Sequence, residues 1–213
     1  MQTAITNAQG NPFWDKIAQK YARKPVADPA AYEAKLARVR ALLRAEDRML
    51  EIGCGTGSTA LHLASNAAEI AATDISREMI TIAERKRADA NAANVTFRQA
   101  AADEHLGAAP FDVVAAFSVL HLVNDVPAVL RAAYAQIRPG GLFVSKTVCL
   151  GDANGALRLF VRALHVLGFA PRVTMLSKAA LRAAMVEAGF DIVEFRYFGK
   201  GHLNPFIIAQ RPE

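Results

Sequence analysis

Apolar and polar positions along the chain follow two alternating periods. From Pro29 to Leu43, Tyr32, Leu36, Val39, Leu42 and Leu43 recur at helical spacing. Residues 12–28 carry Phe13, Trp14, Ile17 and Tyr21 before the breakers Pro25 and Pro29, which predicts a short helix and a loop. From Arg48 onward short apolar runs alternate with helical stretches. Met49–Ile52, Glu69–Thr73, Val95–Arg98 and Phe111–Phe117 read as strands, with helices over 58–66 and after the N-cap Ser76. A helix over Pro127–Ile137 is expected to end at a Pro139-Gly140-Gly141 turn, ahead of a strand over Leu142–Val148. Ser177 caps a helix running to Glu187, and Asp191–Tyr197 and Leu203–Gln210 close the chain as strands.

Strands separated by helices of about ten residues make βαβ units, hence a parallel sheet covered on both faces. The last two strands have no helix between them, which requires an antiparallel pair. The expected fold is α/β: one domain with a seven-strand, mostly parallel sheet, one antiparallel strand, a helical N-terminal cap and a helical insertion after strand 5. The segment 155–169 carries Leu157, Leu159, Phe160, Val161, Leu164, Val166, Leu167 and Phe169. A helix apolar all round is expected to be buried on several sides. It is read as a lid over a hydrophobic ligand, a dimer contact or plain core.

Composition adds exclusions. Of the 213 residues, 53% are apolar and 21% charged, so a sizeable core can form and wholesale disorder is excluded. Two cysteines give no disulfide framework, and no Cys/His cluster predicts a metal site. The start, MQTAITNAQG, lacks a basic n-region and apolar h-region, and no apolar run approaches the roughly 20 residues of a membrane span. A cytoplasmic location is expected. The net charge of +5 comes from scattered clusters such as Arg85, Lys86 and Arg87, read as a solvated helix face, and nucleic acid is not expected as a partner.

The informative segment is Met49-Leu50-Glu51-Ile52-Gly53-Cys54-Gly55-Thr56-Gly57-Ser58. Glycines at alternate positions directly after a strand permit a sharp turn and close approach to a ligand. The spacing is GxGxG, neither the GxGxxG of dinucleotide binders nor a P-loop. Asp74 ends the next strand, where a carboxylate can accept both hydroxyls of a ribose. The bland alternative is a turn aspartate before Ser76.

These residues resemble the class I S-adenosylmethionine-dependent methyltransferases, of the small-molecule type containing LEIGCGTG. Leu50 to Gly57 match the first motif, Asp74 the acidic residue after the second strand, Phe117-Ser118-Val119-Leu120-His121 the segment after the fourth, and Pro139-Gly140-Gly141 the turn before the fifth. The resemblance implies a Rossmann-like domain with a cap over 1–45, a cofactor-binding core over 46–150, a lid insertion over 151–175 and a closing helix and strand pair over 176–213. It implies S-adenosylmethionine as cofactor, held by Glu51, Gly53, Cys54, Gly55, Gly57, Asp74, Ile75, Met79, Phe117 and Ser118. Relatives carry an acidic residue just after the third strand to hold the adenine amine. Here Gln99-Ala100-Ala101-Ala102-Asp103 stands in that step, leaving backbone of Ala101 and Ala102 or the Asp103 carboxylate for it.

Methyl transfer by in-line displacement needs chiefly positioning, and a base only where the acceptor must lose a proton. His121, directly after the fourth strand, is the candidate base, or else a ring packed at a helix start. Trp14, Tyr21, Tyr32, Phe160 and His165 are the candidate acceptor contacts; plain packing is the alternative for the aromatic residues and a structural or solvent-facing place for His165. The expected activity is methylation of a small, fairly apolar molecule by a monomer or homodimer. RNA or protein methylation, and a non-catalytic scaffold on the same fold, are the alternatives. The step after the fourth strand is not the [ND]PP[YF] associated with nucleobase amines.

Overall fold

The computed structural model describes residues 12–107 and 110–213. Two helices come first, α1 (Pro12–Arg23) and α2 (Pro29–Arg40); α2 is capped by the Asp28 side chain, which accepts from Ala31 N–H, and has a proline at its start. The core then runs β1 (Arg48–Ile52), α3 (Ser58–Leu63), β2 (Glu69–Asp74), α4 (Arg77–Asp89), β3 (Val95–Gln99), β4 (Phe111–Phe117), α5 (Val126–Gln136) and β5 (Ile137–Lys146). After α6 (Gly155–Val166) and α7 (Lys178–Glu187), β6 (Asp191–Tyr197) and β7 (Pro205–Gln210) close the sheet.

The strand order is β3-β2-β1-β4-β5-β7-β6. β7 runs antiparallel to both β5 and β6, and the other pairs are parallel, as the alternation of elements requires. Both faces are covered. On one, Leu50, Ile52, Val114 and Ala116 pack with Leu130 and Ala133 of α5 and Leu181 and Met185 of α7. On the other, Met49, Val113 and Ala115 pack with Leu36 and Val39 of α2, Leu63 of α3 and Ala83 of α4. Strand alternation therefore sends Glu51, two residues after Met49, toward α2 and α3. The strand order reverses between β1 and β4, and the crevice outside their carboxyl ends is where open α/β sheets bind ligands.

Two expectations need correction. Pro139-Gly140-Gly141 is not a turn ahead of β5 but lies inside it. Ile137 pairs with Phe111 and Leu142 with Val113, so the extra residues are absorbed as an irregularity, with Gly140 at φ 73°. The strand also ends at Lys146, before the expected Val148. The second correction concerns α6. None of its residues is buried; only Val161 and Leu164 turn partly inward, and its other apolar side chains stand in solvent. That excludes the reading of α6 as plain core.

Candidate functional site

The carboxyl ends of β1, β2, β4 and β5 open into a cavity of about 790 Å³, roofed by residues of α1, α2 and the β6–β7 connection. Its volume lies in the range of small-ligand sites. The turn after β1 forms its floor. Gly53, Gly55 and Gly57 have φ of 70°, 55° and 77°. A side chain on Gly53 would meet Val119 Cγ2 at 2.5 Å, and one on Gly57 would meet the Phe97 ring at 2.5 Å. Gly57 thus seats the turn against β3 and α4 and does not line the cavity, whereas Gly53, Cys54 and Gly55 do.

Asp74 holds this turn in place. Its Oδ2 accepts from Gly55 N–H at 2.8 Å and its Oδ1 from Ser76 N–H at 2.9 Å. Each carboxylate oxygen keeps a further lone pair, and the residue lines the cavity. Burial pushes its carboxyl up, while the N–H donors of Ser76 and Gly55 oppose that shift. Lys86 Nζ donates to Thr56 Oγ1 at 2.9 Å and Ser58 Oγ at 3.2 Å, bracing the far side of the turn from α4.

Beside the turn lies a pair of which the sequence names Glu51 as a cofactor contact but not Lys35. Glu51 is 2% exposed, and its Oε2 has no hydrogen-bond partner. Lys35 of α2 reaches the same cavity, 4% exposed, its Nζ 4.1 Å from the centre of the Phe117 ring and 4.6 Å from that of Tyr32. No ion pair within 4 Å joins Lys35 to Glu51 among the described residues. Burial raises the Glu51 carboxyl to about 7, opposed by the Lys35 charge and the Ala60 N–H. Burial lowers the Lys35 ammonium to about 8, opposed by Glu51 and assisted by Lys146. Unpaired buried charges of opposite sign are costly unless a ligand completes them. A signal for Lys35 was present: it occupies a position three residues after Tyr32 and four before Val39, inside the apolar stripe of its helix.

At the end of β4, Ser118 has a left-handed φ of 57° and its N–H donates to Lys146 O at 2.7 Å. Such strain in a non-glycine residue concentrates at functional sites. Ser118, Phe117, Val119, Leu122, Lys146, Thr147 and Val148 line this end of the cavity. Ile75, Met79, Ala101, Ala102 and Asp103 line the end beyond Asp74. There Ala101 N–H points at Glu104 Oε2, 3.4 Å away.

Trp14, Tyr21 and Tyr32 line the cavity from the cap. The structure does not bring Phe160, His165 or His121 to it. Phe160 is exposed on α6, and His165 borders a separate hollow between α6 and residues 172–175. His121 Nδ1 lies 3.0 Å from Oγ1 of the cavity-lining Thr147, and burial lowers its pKa to about 4.

The arrangement defines an α/β domain whose strand ends open into a cavity lined by a glycine-rich turn, the Asp74 carboxylate and the buried Lys35 and Glu51 side chains. A family model described as a methyltransferase domain matches residues 21–195, and the chain belongs to the class I S-adenosylmethionine-dependent methyltransferases. It is 36% identical over 132 residues to a ubiquinone biosynthesis O-methyltransferase of Methylocella silvestris, covering 60% of this chain and 49% of that one. To the protein of the same name from Azorhizobium caulinodans it is 35% identical, covering 69% and 60%. The chain thus spans about half to three-fifths of these curated relatives. Two solved structures share its fold: an S-adenosylmethionine-dependent methyltransferase from Mesorhizobium loti (TM-score 0.72, 22% identity, 86% of this chain and 99% of that one) and magnesium protoporphyrin IX methyltransferase from Synechocystis PCC 6803 with bound SAH (0.71, 17%, 93% and 96%).

Proposed function

We propose that this chain transfers a methyl group from S-adenosylmethionine to an oxygen of a small acceptor with an apolar body. The observation that carries the reading is the convergence in one cavity of the glycine turn, the Asp74 carboxylate and the Lys35–Glu51 pair. The residues fit the cofactor. The turn leaves no room for a side chain at Gly53, Asp74 keeps free lone pairs for ribose hydroxyls, and Glu51 Oε2 is a buried acceptor awaiting a donor. Lys35 and Glu51 suit the carboxylate and ammonium of an amino-acid tail. Ile75 and Met79 supply an apolar wall for a purine.

When bound, the sulfonium supplies an already activated methyl group. The chain's own contribution is to hold donor and acceptor in line, an effect worth up to roughly 7–11 kcal/mol in favourable systems. Val119, Leu122, Val129, Val148 and Phe198 give the acceptor end its apolar lining. Lys146, whose ammonium is lowered chiefly by burial, places a positive charge there that favours the oxyanion form of an acceptor hydroxyl. The O-methyltransferase names of the relatives support oxygen as the target.

The test is release of S-adenosylhomocysteine from labelled cofactor on a panel of small phenols and catechols, with RNA and protein extracts as competing acceptors. Turnover on the phenols, lost in Asp74→Ala, supports the reading. Turnover confined to RNA or protein overturns the acceptor class.

A further inference from the structure

The segment around α6 departs from the rest of the surface in two independent ways. Its apolar side chains form an outward stripe: Ala156, Leu159, Phe160, Ala163, Val166 and Leu167 follow the i, i+3, i+4, i+7, i+10, i+11 spacing of one helix face. Leu159 is 70% exposed, Val166 83% and, just past the helix, Phe169 76%. A contiguous exposed apolar face of this kind marks an interaction surface. The second departure is charge. The whole chain has 25 basic and 20 acidic residues, an excess of five. The stretch 153–186 holds Arg158, Arg162, Arg172, Lys178 and Arg182 and no acidic residue, so the rest of the chain is balanced. None of these five cations is in an ion pair among the described residues.

The two features adjoin. Arg158 and Arg162 run along one edge of the apolar stripe. Arg162, His165 and Arg172 rim a hollow of about 410 Å³ whose other walls are Val161, Val166, Val173 and Met175. Two arginines beside four apolar side chains in one hollow match an anionic headgroup and the start of its acyl chains. The same segment is fastened to the rim of the main cavity. Thr174 N–H donates to His121 O and Thr174 Oγ1 to Val123 O, both at 2.8 Å, and Val123 lines that cavity.

We propose that α6 and residues 167–172 dock the protein in the plane of an anionic lipid membrane, apolar stripe inserted and arginines at the headgroups. This is the behaviour of an amphipathic interfacial helix. No helix among the described residues is long and apolar enough to cross a membrane. A second copy is the weaker occupant, because an isologous contact would set Arg158, Arg162 and Arg172, with no acidic residue among them, against their equals. The docked segment continues into Thr174, which is bonded to the loop bordering the cavity, so docking would bring that loop toward the membrane that holds a lipophilic acceptor.

Flotation with vesicles tests this without any acceptor or turnover, so its failure is separable from that of the methyl-transfer reading. Vesicles of phosphatidylcholine with about 30% phosphatidylglycerol should bind the protein at least roughly tenfold more tightly than pure phosphatidylcholine. Raising salt from about 0.1 to about 1 M, which shortens the screening length from ~10 to ~3 Å, should release most of it. Arg162→Gln with Arg172→Gln should weaken binding roughly 25-fold, about fivefold per cation. Leu159→Ser with Val166→Ser should abolish it, with the circular dichroism spectrum and S-adenosylhomocysteine affinity unchanged. Equal binding of wild type to both vesicle types, or variants that float as wild type does, overturns the proposal. So does absence of vesicle binding with a dimer in sedimentation equilibrium that the serine variant dissociates, an outcome that assigns the face to a second copy.

Discussion

Lys35→Met offers the sharpest separation of the cavity's parts. Lys35 is nearly inaccessible, stands between two aromatic rings and has no ion-pair partner within 4 Å among the described residues, so its charge is available to a ligand carboxylate. A hydrogen bond to a charged group contributes about 1.5–3 kcal/mol net, which is roughly 10- to 150-fold in Kd. Methionine keeps the packing volume between the rings and removes a cation already disfavoured by burial, so the free protein should lose little stability. The assay is calorimetric titration with two ligands that share the nucleoside and sulfur: S-adenosylhomocysteine, and 5′-methylthioadenosine, which lacks the amino-acid tail. The substitution should weaken the first by one to two orders of magnitude and leave the second within about threefold. Equal losses for both ligands would refute the assignment of Lys35 to the tail.

The pH dependence follows from the same pair. Below about 7 Glu51 must shed a proton before it can hold an ammonium, and above about 8 Lys35 must gain one before it can hold a carboxylate. Affinity for S-adenosylhomocysteine should therefore peak between these values. Glu51→Gln should flatten the acid fall and Lys35→Met the fall beginning near 8.

Three further outcomes are expected. Gly53→Ala should destabilise the protein by roughly 2–4 kcal/mol, from the Val119 collision and the left-handed φ together, lowering Tm by about 2–4 °C per kcal/mol in a domain of this size; an unchanged Tm contradicts the tight turn. His121 has a folded pKa of about 4 against about 6.5 unfolded, so its contribution is complete above the unfolded value and is lost as pH falls from there toward 4. Wild type should accordingly lose its stability margin over His121→Gln between pH 7 and 5, and a margin that widens would reverse the sign of the argument. Asp15 accepts from Ser76 Oγ at 2.6 Å and Glu78 N–H at 3.3 Å, latching α1 to the start of α4 beside Asp74. Asp15→Ala should speed release of S-adenosylhomocysteine several-fold, read by fluorescence of the single Trp14, which lines the cavity; an unchanged rate would mean that α1 does not gate exit.

Much of this architecture was legible in the chain because its signals are local. The alternation of strands and helices, the missing helix between β6 and β7, and the GxGxG turn with Asp74 one strand later each depend on a few consecutive residues. What escaped depends on tertiary context. Pro139-Gly140-Gly141 reads as punctuation, yet the neighbouring strand tolerates it as an irregularity of β5. Apolar content all round α6 implied burial, but burial requires a partner surface, and the fold supplies one only on the side of Val161 and Leu164. Lys35 is hidden in the sequence because the apolar stripe of α2 is defined by its hydrophobic members, Tyr32, Leu36 and Val39. His121 stands where a base would be useful in sequence, but in the fold it sits behind Thr147, which lines the cavity where His121 does not.

The central claim is that the turn, Asp74 and the buried pair together hold S-adenosylmethionine, and it is tested most directly by titrating the purified chain with S-adenosylhomocysteine beside Asp74→Ala. The account predicts micromolar binding by wild type and a loss of at least roughly tenfold in the variant, since two turn-holding bonds and the ribose contact go together. A folded wild-type protein that gives no binding heat at any temperature tried, or a variant that binds equally well, would contradict it.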